Sequence, residues 1–211
     1  MRSADAVTLL RVPLILFLAY MVFVKFSALA DIILMAIIFA MDALDGFYAV
    51  KEAGKGSVSF YQYLSAALGN AAAKARVSAL KKKIKSIAPY GPRLDVAGDR
   101  VIEYTLWVLF TYLHIVPLII LLLVVVRHSF ADALMGARGT SSKMKTKFAS
   151  VIYSSNLWRG GINVVKFVTF AYLVMVYVSG YPIDIGYILV GILFTYIMLR
   201  GAAEIYESLK A

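Results

Sequence analysis

A chain of 211 residues that is 62% hydrophobic, with a mean hydropathy of +0.81 and no cysteine, excludes a disulfide-stapled secreted domain and points to an integral membrane protein. Twenty-two Lys and Arg against twelve Asp and Glu leave a net charge of +10. Charge asymmetry across a bilayer accounts for that excess, so no nucleic-acid partner is expected.

In chain order, apolar segments near 9–25, 27–44, 101–126, 161–179 and 183–199 each approach the ~20 helical residues that a hydrocarbon core requires. The 101–126 run is too long for one span. His114 and Pro117 divide it, and if 94–100 and 127–136 continue the helices it becomes two spans joined by a tight turn. The expected fold is therefore an all-α integral membrane protein with six transmembrane helices, forming a single domain over 1–211. No small-residue cleavage site separates Met1–Arg11 from the first span, so that helix is expected to be retained. Nine Lys and Arg lie between Lys51 and Arg93, and Arg138, Lys143, Lys145, Lys147 and Arg159 crowd the fourth loop. Lys25 alone lies between the first two spans, and the other alternate loops carry none. Both termini and both basic loops should thus face the cytoplasm, in the cell membrane.

The second loop, residues 51–90, departs from this compact plan. Phe60, Leu64, Leu68 and Ala71, then Val77, Leu80, Ile84 and Ile87, recur at helical spacing, while Lys81, Lys82, Lys83 and Lys85 fall largely elsewhere on the wheel. The pattern predicts a basic amphipathic insertion between helices 2 and 3, either one helix or a helical hairpin broken at Gly69. It would lie on the inner leaflet, where each lysine near anionic lipid contributes about 1 kcal/mol. A solvated hairpin is the plainer alternative.

On either side of this insertion stand paired aspartates. MDALDGFYAV closes the second span with Asp42 and Asp45 three apart, and GPRLDVAGDR opens the third with Asp95 and Asp99 four apart. Both spacings put the pair on one helical face. Each residue alone reads as a helix cap. Four carboxylates at one membrane depth repel strongly unless hard divalent ions such as Mg²⁺ or Mn²⁺ gather them, and two such ions can clamp the oxygens of a phosphoryl group. Gly46 and Gly91 would let a phosphate or nucleotide approach the backbone.

At these residues the sequence resembles the CDP-alcohol phosphatidyltransferase family, whose signature is DxxDGxxAR, eight residues, then GxxxDxxxD. Here Asp42, Asp45, Gly46, Ala49, Gly91, Asp95 and Asp99 match it. Two departures stand out. Val50 replaces the family's arginine, and the 51–90 segment makes the gap about 32 residues longer than usual. Arg76 or Arg93 is the expected substitute for that arginine. The resemblance implies transfer of a phosphatidyl or archaetidyl group from a CDP-linked lipid to a small polar alcohol, with release of CMP, by a homodimer with a cytoplasmic active site. It implies that Asp42, Asp45, Asp95 and Asp99 hold two Mg²⁺ or Mn²⁺ ions and that Asp99 is the general base. The nucleotide and diphosphate would be contacted by Thr8, Gly46, Ala49 and Gly91. Thr8 enters through Asp5-x-x-Thr8-x-x-Arg11, which is similar to the NxxTxxR stretch of many relatives; Arg11 itself is expected to snorkel to the interface.

The basic cluster after the fourth span bears on the acceptor. Lys143-Met-Lys145-Thr146 looks like the GKxKT segment of phosphatidylglycerophosphate synthases, and Arg127, Arg138 and Lys145 are the expected contacts for an acceptor phosphate. The positive-inside rule alone would also place cations here. A phosphorylated polyol such as glycerol phosphate is the expected acceptor, with inositol phosphate or serine as alternatives. Glu103 and Lys166 are further intramembrane charges that either line the cavity or pair structurally. Two other classes compete: a UbiA-type prenyltransferase, which lacks these glycines, and a non-enzymatic cation transporter, which would need its carboxylates deeper in the bilayer. Dependence on a cytidine nucleotide separates both from the preferred reading.

Overall fold

The computed structural model describes residues 3–67, 69–87, 90–136 and 156–210. Every described element is a helix: α1 Ser3–Phe23, α2 Ala28–Ala53, α3 Phe60–Ala67, α4 Ala71–Ile87, α5 Gly91–Tyr112, α6 Leu118–Gly136, α7 Asn156–Ser179 and α8 Ile183–Lys210. The long apolar helices end where local chemistry stops them. Lys25 (φ 54°) follows α1 in the left-handed region, with its N–H on Val22 O and the Phe26 N–H on Met21 O, which is a Schellman cap. His114 (φ 58°) closes α5 in the same way, and Pro117 directly precedes α6. The division of the 101–126 run at His114 and Pro117 is therefore observed.

Among the described residues three helices are long and apolar enough to cross a membrane: Ser3–Phe23, Gly161–Ser179 within α7, and Ile183–Lys210. Six were expected. Charge also lies inside α2 at Asp31, Asp42 and Asp45, inside α5 at Asp95, Asp99, Arg100 and Glu103, and inside α6 at Arg127 and Asp132. Large apolar side chains point outward nonetheless, among them Leu16, Phe17, Leu122, Leu123, Ile188 and Ile192. Apolar surface of this extent suits hydrocarbon rather than water.

The chain divides into two compact units, Met1–Leu18 with Ile33–Glu103, and Ala19–Ile32 with Tyr104–Ala211. In the second unit α6 and α7 each pack against α8. Its core is aromatic, with Phe170 edge-on to Trp107 at 5.2 Å and stacked on Phe110 at 6.0 Å. Gly201 of α8 lies directly against the Arg127 side chain, leaving no room for a Cβ.

The first unit contains the insertion, which is a hairpin rather than one helix. A reciprocal Ser59–Gln62 capping box opens α3, with Gln62 N–H donating to Ser59 Oγ and Ser59 N–H donating to Gln62 Oε1. Asn70 caps α4 through the Ala73 N–H, and Gly69 (φ 105°) makes the turn between them. The hairpin's apolar face is used within the chain: Val50, Ala53, Val58, Ala66 and Val77 form a buried cluster, with Ala49, Tyr63, Ala73 and Leu80 packed on it. Phe60 and Leu64 remain exposed. Leu68 and the side chains of Ile84 and Ile87 lie outside the described residues.

Candidate carboxylate site

Helical spacing aims Asp42 and Asp45 from the second half of α2, and Asp95 and Asp99 from the first turns of α5, along single faces. The two faces meet. One carboxylate oxygen from each of Asp42, Asp45 and Asp95 lies within 4.8 Å of the others. Residues separated by the 51–90 insertion are thus brought to one point in the first unit.

Asp99 joins them through Arg11. The guanidinium donates from Nη1 to Asp42 Oδ1 at 3.1 Å and to Asp45 Oδ2 at 3.4 Å, and from Nη2 to Asp99 Oδ1 at 3.0 Å. Its side chain is 4% exposed, against 45% for Asp99. Arg11 does not snorkel; it is a buried cation bridging three of the four aspartates. The physical reason is electrostatic, because clustered carboxylates at low dielectric draw in the nearest guanidinium, whose planar fork serves several oxygens together. Its Nε is buried with no hydrogen-bond partner among the described residues.

Thr8, one turn before Arg11 on the same face of α1, donates from Oγ1 to Asp45 Oδ2 at 3.1 Å and sits within 3.2 Å of the Ala4 carbonyl. Gly98 of α5 permits this approach, since a Cβ there would lie 2.6 Å from Thr8 Cγ2. Thr8 and Arg11 were expected at the nucleotide and at the membrane interface, and both instead contact the carboxylates. Their spacing of three, matching that of Asp42 and Asp45, was the available signal.

A second residue was missed outright. Tyr63 of α3 places its hydroxyl where a Cβ on Gly46 would be 2.5 Å away, and its ring stands edge-on to Phe47 at 5.9 Å. Burial first, and then the charges of Asp42, Asp45 and Asp95, push its phenol up to about 12.

The other expected residues divide by location. Gly46 and Ala49 sit on α2, Gly46 beneath the Tyr63 hydroxyl and Ala49 against the hairpin core, while Gly91 begins α5 one turn before Asp95. Arg76 is engaged by the chain itself, donating from Nη2 to Ser57 O at 3.0 Å, and Arg93 is exposed. Glu103 pairs with Arg100 at 3.2 Å, which is the structural alternative for that residue; Lys166 is half-buried on α7. Arg127 belongs to the second unit, where Nη2 pairs with Glu204 Oε2 at 2.8 Å and Nη1 lies 2.5 Å from His128 Nδ1. Arg138 and Lys145 lie outside the described residues.

The donor set fits a hard divalent ion. It is all carboxylate oxygen, and it comes from two helices. Comparisons with protein-family models, curated proteins and solved structures find no match.

Proposed function

We propose that this chain is an integral membrane CDP-alcohol phosphatidyltransferase, moving a phosphatidyl or archaetidyl group from a CDP-linked lipid to a small alcohol. The observation that carries the reading is the convergence of Asp42, Asp45 and Asp95 across the insertion, with Asp99 tied to the first two by Arg11. Both halves of a motif split by residues 51–90 share one site, as a phosphoryl-transfer centre requires.

In this reading Asp42, Asp45 and Asp95 hold Mg²⁺ or Mn²⁺, with Asp99 sharing in the site. When bound, such ions supply Lewis acidity and charge neutralisation at the donor's diphosphate. Asp99 takes the proton from the acceptor hydroxyl. That oxygen bonds to the lipid-side phosphorus as the phosphorus–oxygen bond to CMP breaks, and CMP departs with the electron pair. The exposure of Asp99 supports this role, since a base must reach the acceptor. Arg11 fixes the Asp99 carboxylate and keeps Asp42 and Asp45 from repelling each other apart. Thr8 orients Asp45.

The same proposal places all six long helices across the cell membrane as a homodimer, with the carboxylate ends and both termini cytoplasmic. The outward apolar side chains of α1, α6 and α8 support it. A phosphorylated polyol, glycerol phosphate ahead of inositol phosphate, is the proposed acceptor, and serine the next. The test is CMP release by the purified protein with CDP-lipid and Mg²⁺ or Mn²⁺, against glycerol 3-phosphate, inositol 1-phosphate, inositol, serine and no acceptor. Release that depends on one acceptor names the product. The absence of release in metal-loaded protein would refute the reading.

A further inference from the structure

The two departures from the family pattern, Val50 and the 51–90 insertion, are one structural change. Val50 is fully buried in the apolar cluster that the hairpin makes with the end of α2. An arginine there would leave its charge among Ala53, Val58, Ala66 and Val77 without a counter-charge, so the hairpin and a cationic residue 50 exclude each other.

What the hairpin delivers in exchange is Tyr63. The Ser59–Gln62 capping box and the bond from Tyr63 N–H to Ser59 O set the start of α3. Phe47 meets Phe60 at 5.3 Å and Tyr63 at 5.9 Å, both edge-on, which sets the rotation of the helix about its axis. The phenol then reaches the backbone of α2 at Gly46, the residue after Asp45. A tyrosine hydroxyl is protonated at neutral pH and can donate where a phosphate oxygen arrives. Arg11 Nε, beside the same carboxylates, is a buried donor without an acceptor among the described residues.

We propose that Tyr63 is a ligand-contacting residue of the carboxylate site, supplied by the insertion, and that its neutral hydroxyl donates to an oxygen of a metal-bound phosphate ligand in place of the cationic donor that an arginine at position 50 would offer. The inference rests on the reading that this site takes a diphosphate-bearing donor. It makes the hairpin part of the site wall, not only a membrane-surface element.

The experiment uses the full chain in lipid nanodiscs and measures by calorimetry the binding of Mn²⁺, of inorganic pyrophosphate with Mn²⁺, and of CDP with Mn²⁺. Tyr63→Phe should keep its Mn²⁺ affinity and bind pyrophosphate about tenfold or more weakly, the loss expected for one hydrogen bond to a charged ligand. Gly46→Ala, which displaces the hydroxyl without removing it, should weaken pyrophosphate binding similarly, and adding it to Tyr63→Phe should weaken it little further. Unchanged pyrophosphate affinity in Tyr63→Phe overturns the inference, as does a wild-type protein that binds Mn²⁺ but no pyrophosphate. The CDP arm judges the function separately. Pyrophosphate bound without CDP removes the cytidine donor while Tyr63→Phe still decides the residue's role, and CDP bound equally by both proteins keeps the donor and removes Tyr63.

Discussion

Arg11 Nη2 donates to Asp99 Oδ1 at 3.0 Å, linking the first helix to the fifth across 88 positions, and the same guanidinium holds Asp42 and Asp45 on the second. Removing it would take a buried positive charge from between three carboxylates, so Arg11→Met should destabilise the protein in chelator. Breaking a buried pair costs ~3–5 kcal/mol, and the solvent access of Asp42 and Asp99 puts the expected loss near the lower end, about 3 kcal/mol. Millimolar Mn²⁺ should recover much of the lost melting temperature if the carboxylates hold the ion. Equal losses with and without metal would show that cation binding does not offset the missing guanidinium.

In the proposed transfer, Asp99→Asn keeps the shape and the contact oxygen but cannot take the acceptor's proton. CMP release should fall by about 10² to 10⁴, the usual contribution of a positioned base, while CDP binding with Mn²⁺ persists. Loss of binding together with turnover would move Asp99 among the groups that hold the metal.

Gly98→Ala tests the contact between α5 and α1 that seats Thr8. The new methyl would lie 2.6 Å from Thr8 Cγ2, and Thr8 cannot turn aside without giving up its bond to Asp45. Overpacking of this kind costs ~1–3 kcal/mol. Thr8→Ser removes the offending methyl and keeps the hydroxyl, so the double variant should recover most of the loss in a thermal melt. No recovery would place the strain elsewhere on α5.

Val50→Arg puts a cation into the apolar cluster on which the hairpin packs. Hydrogen exchange in α3 and α4 should quicken markedly as the apolar cluster opens, whereas Val50→Ala should leave the hairpin docked and only less stable. Unchanged protection in Val50→Arg would mean that the hairpin is held by something other than this core.

By itself the sequence determined the helical class, the break at His114 and Pro117 and the four aspartates, and it left the insertion open between one helix and a hairpin turning at Gly69. Each is a local matter: hydropathy over a window, a proline without an N–H, a residue held at positive φ, and spacings of three and four that repeat a helical face. Only the tertiary structure decided where the charges go. Arg11 reads as an interfacial arginine when α1 is considered alone, because nothing local shows that three carboxylates from α2 and α5 will surround it. Tyr63 reads as one aromatic residue on an amphipathic helix, because its approach to Gly46 depends on the hairpin folding back over Val50. Long-range electrostatics and packing select such partners, and neither leaves a periodic trace in the chain.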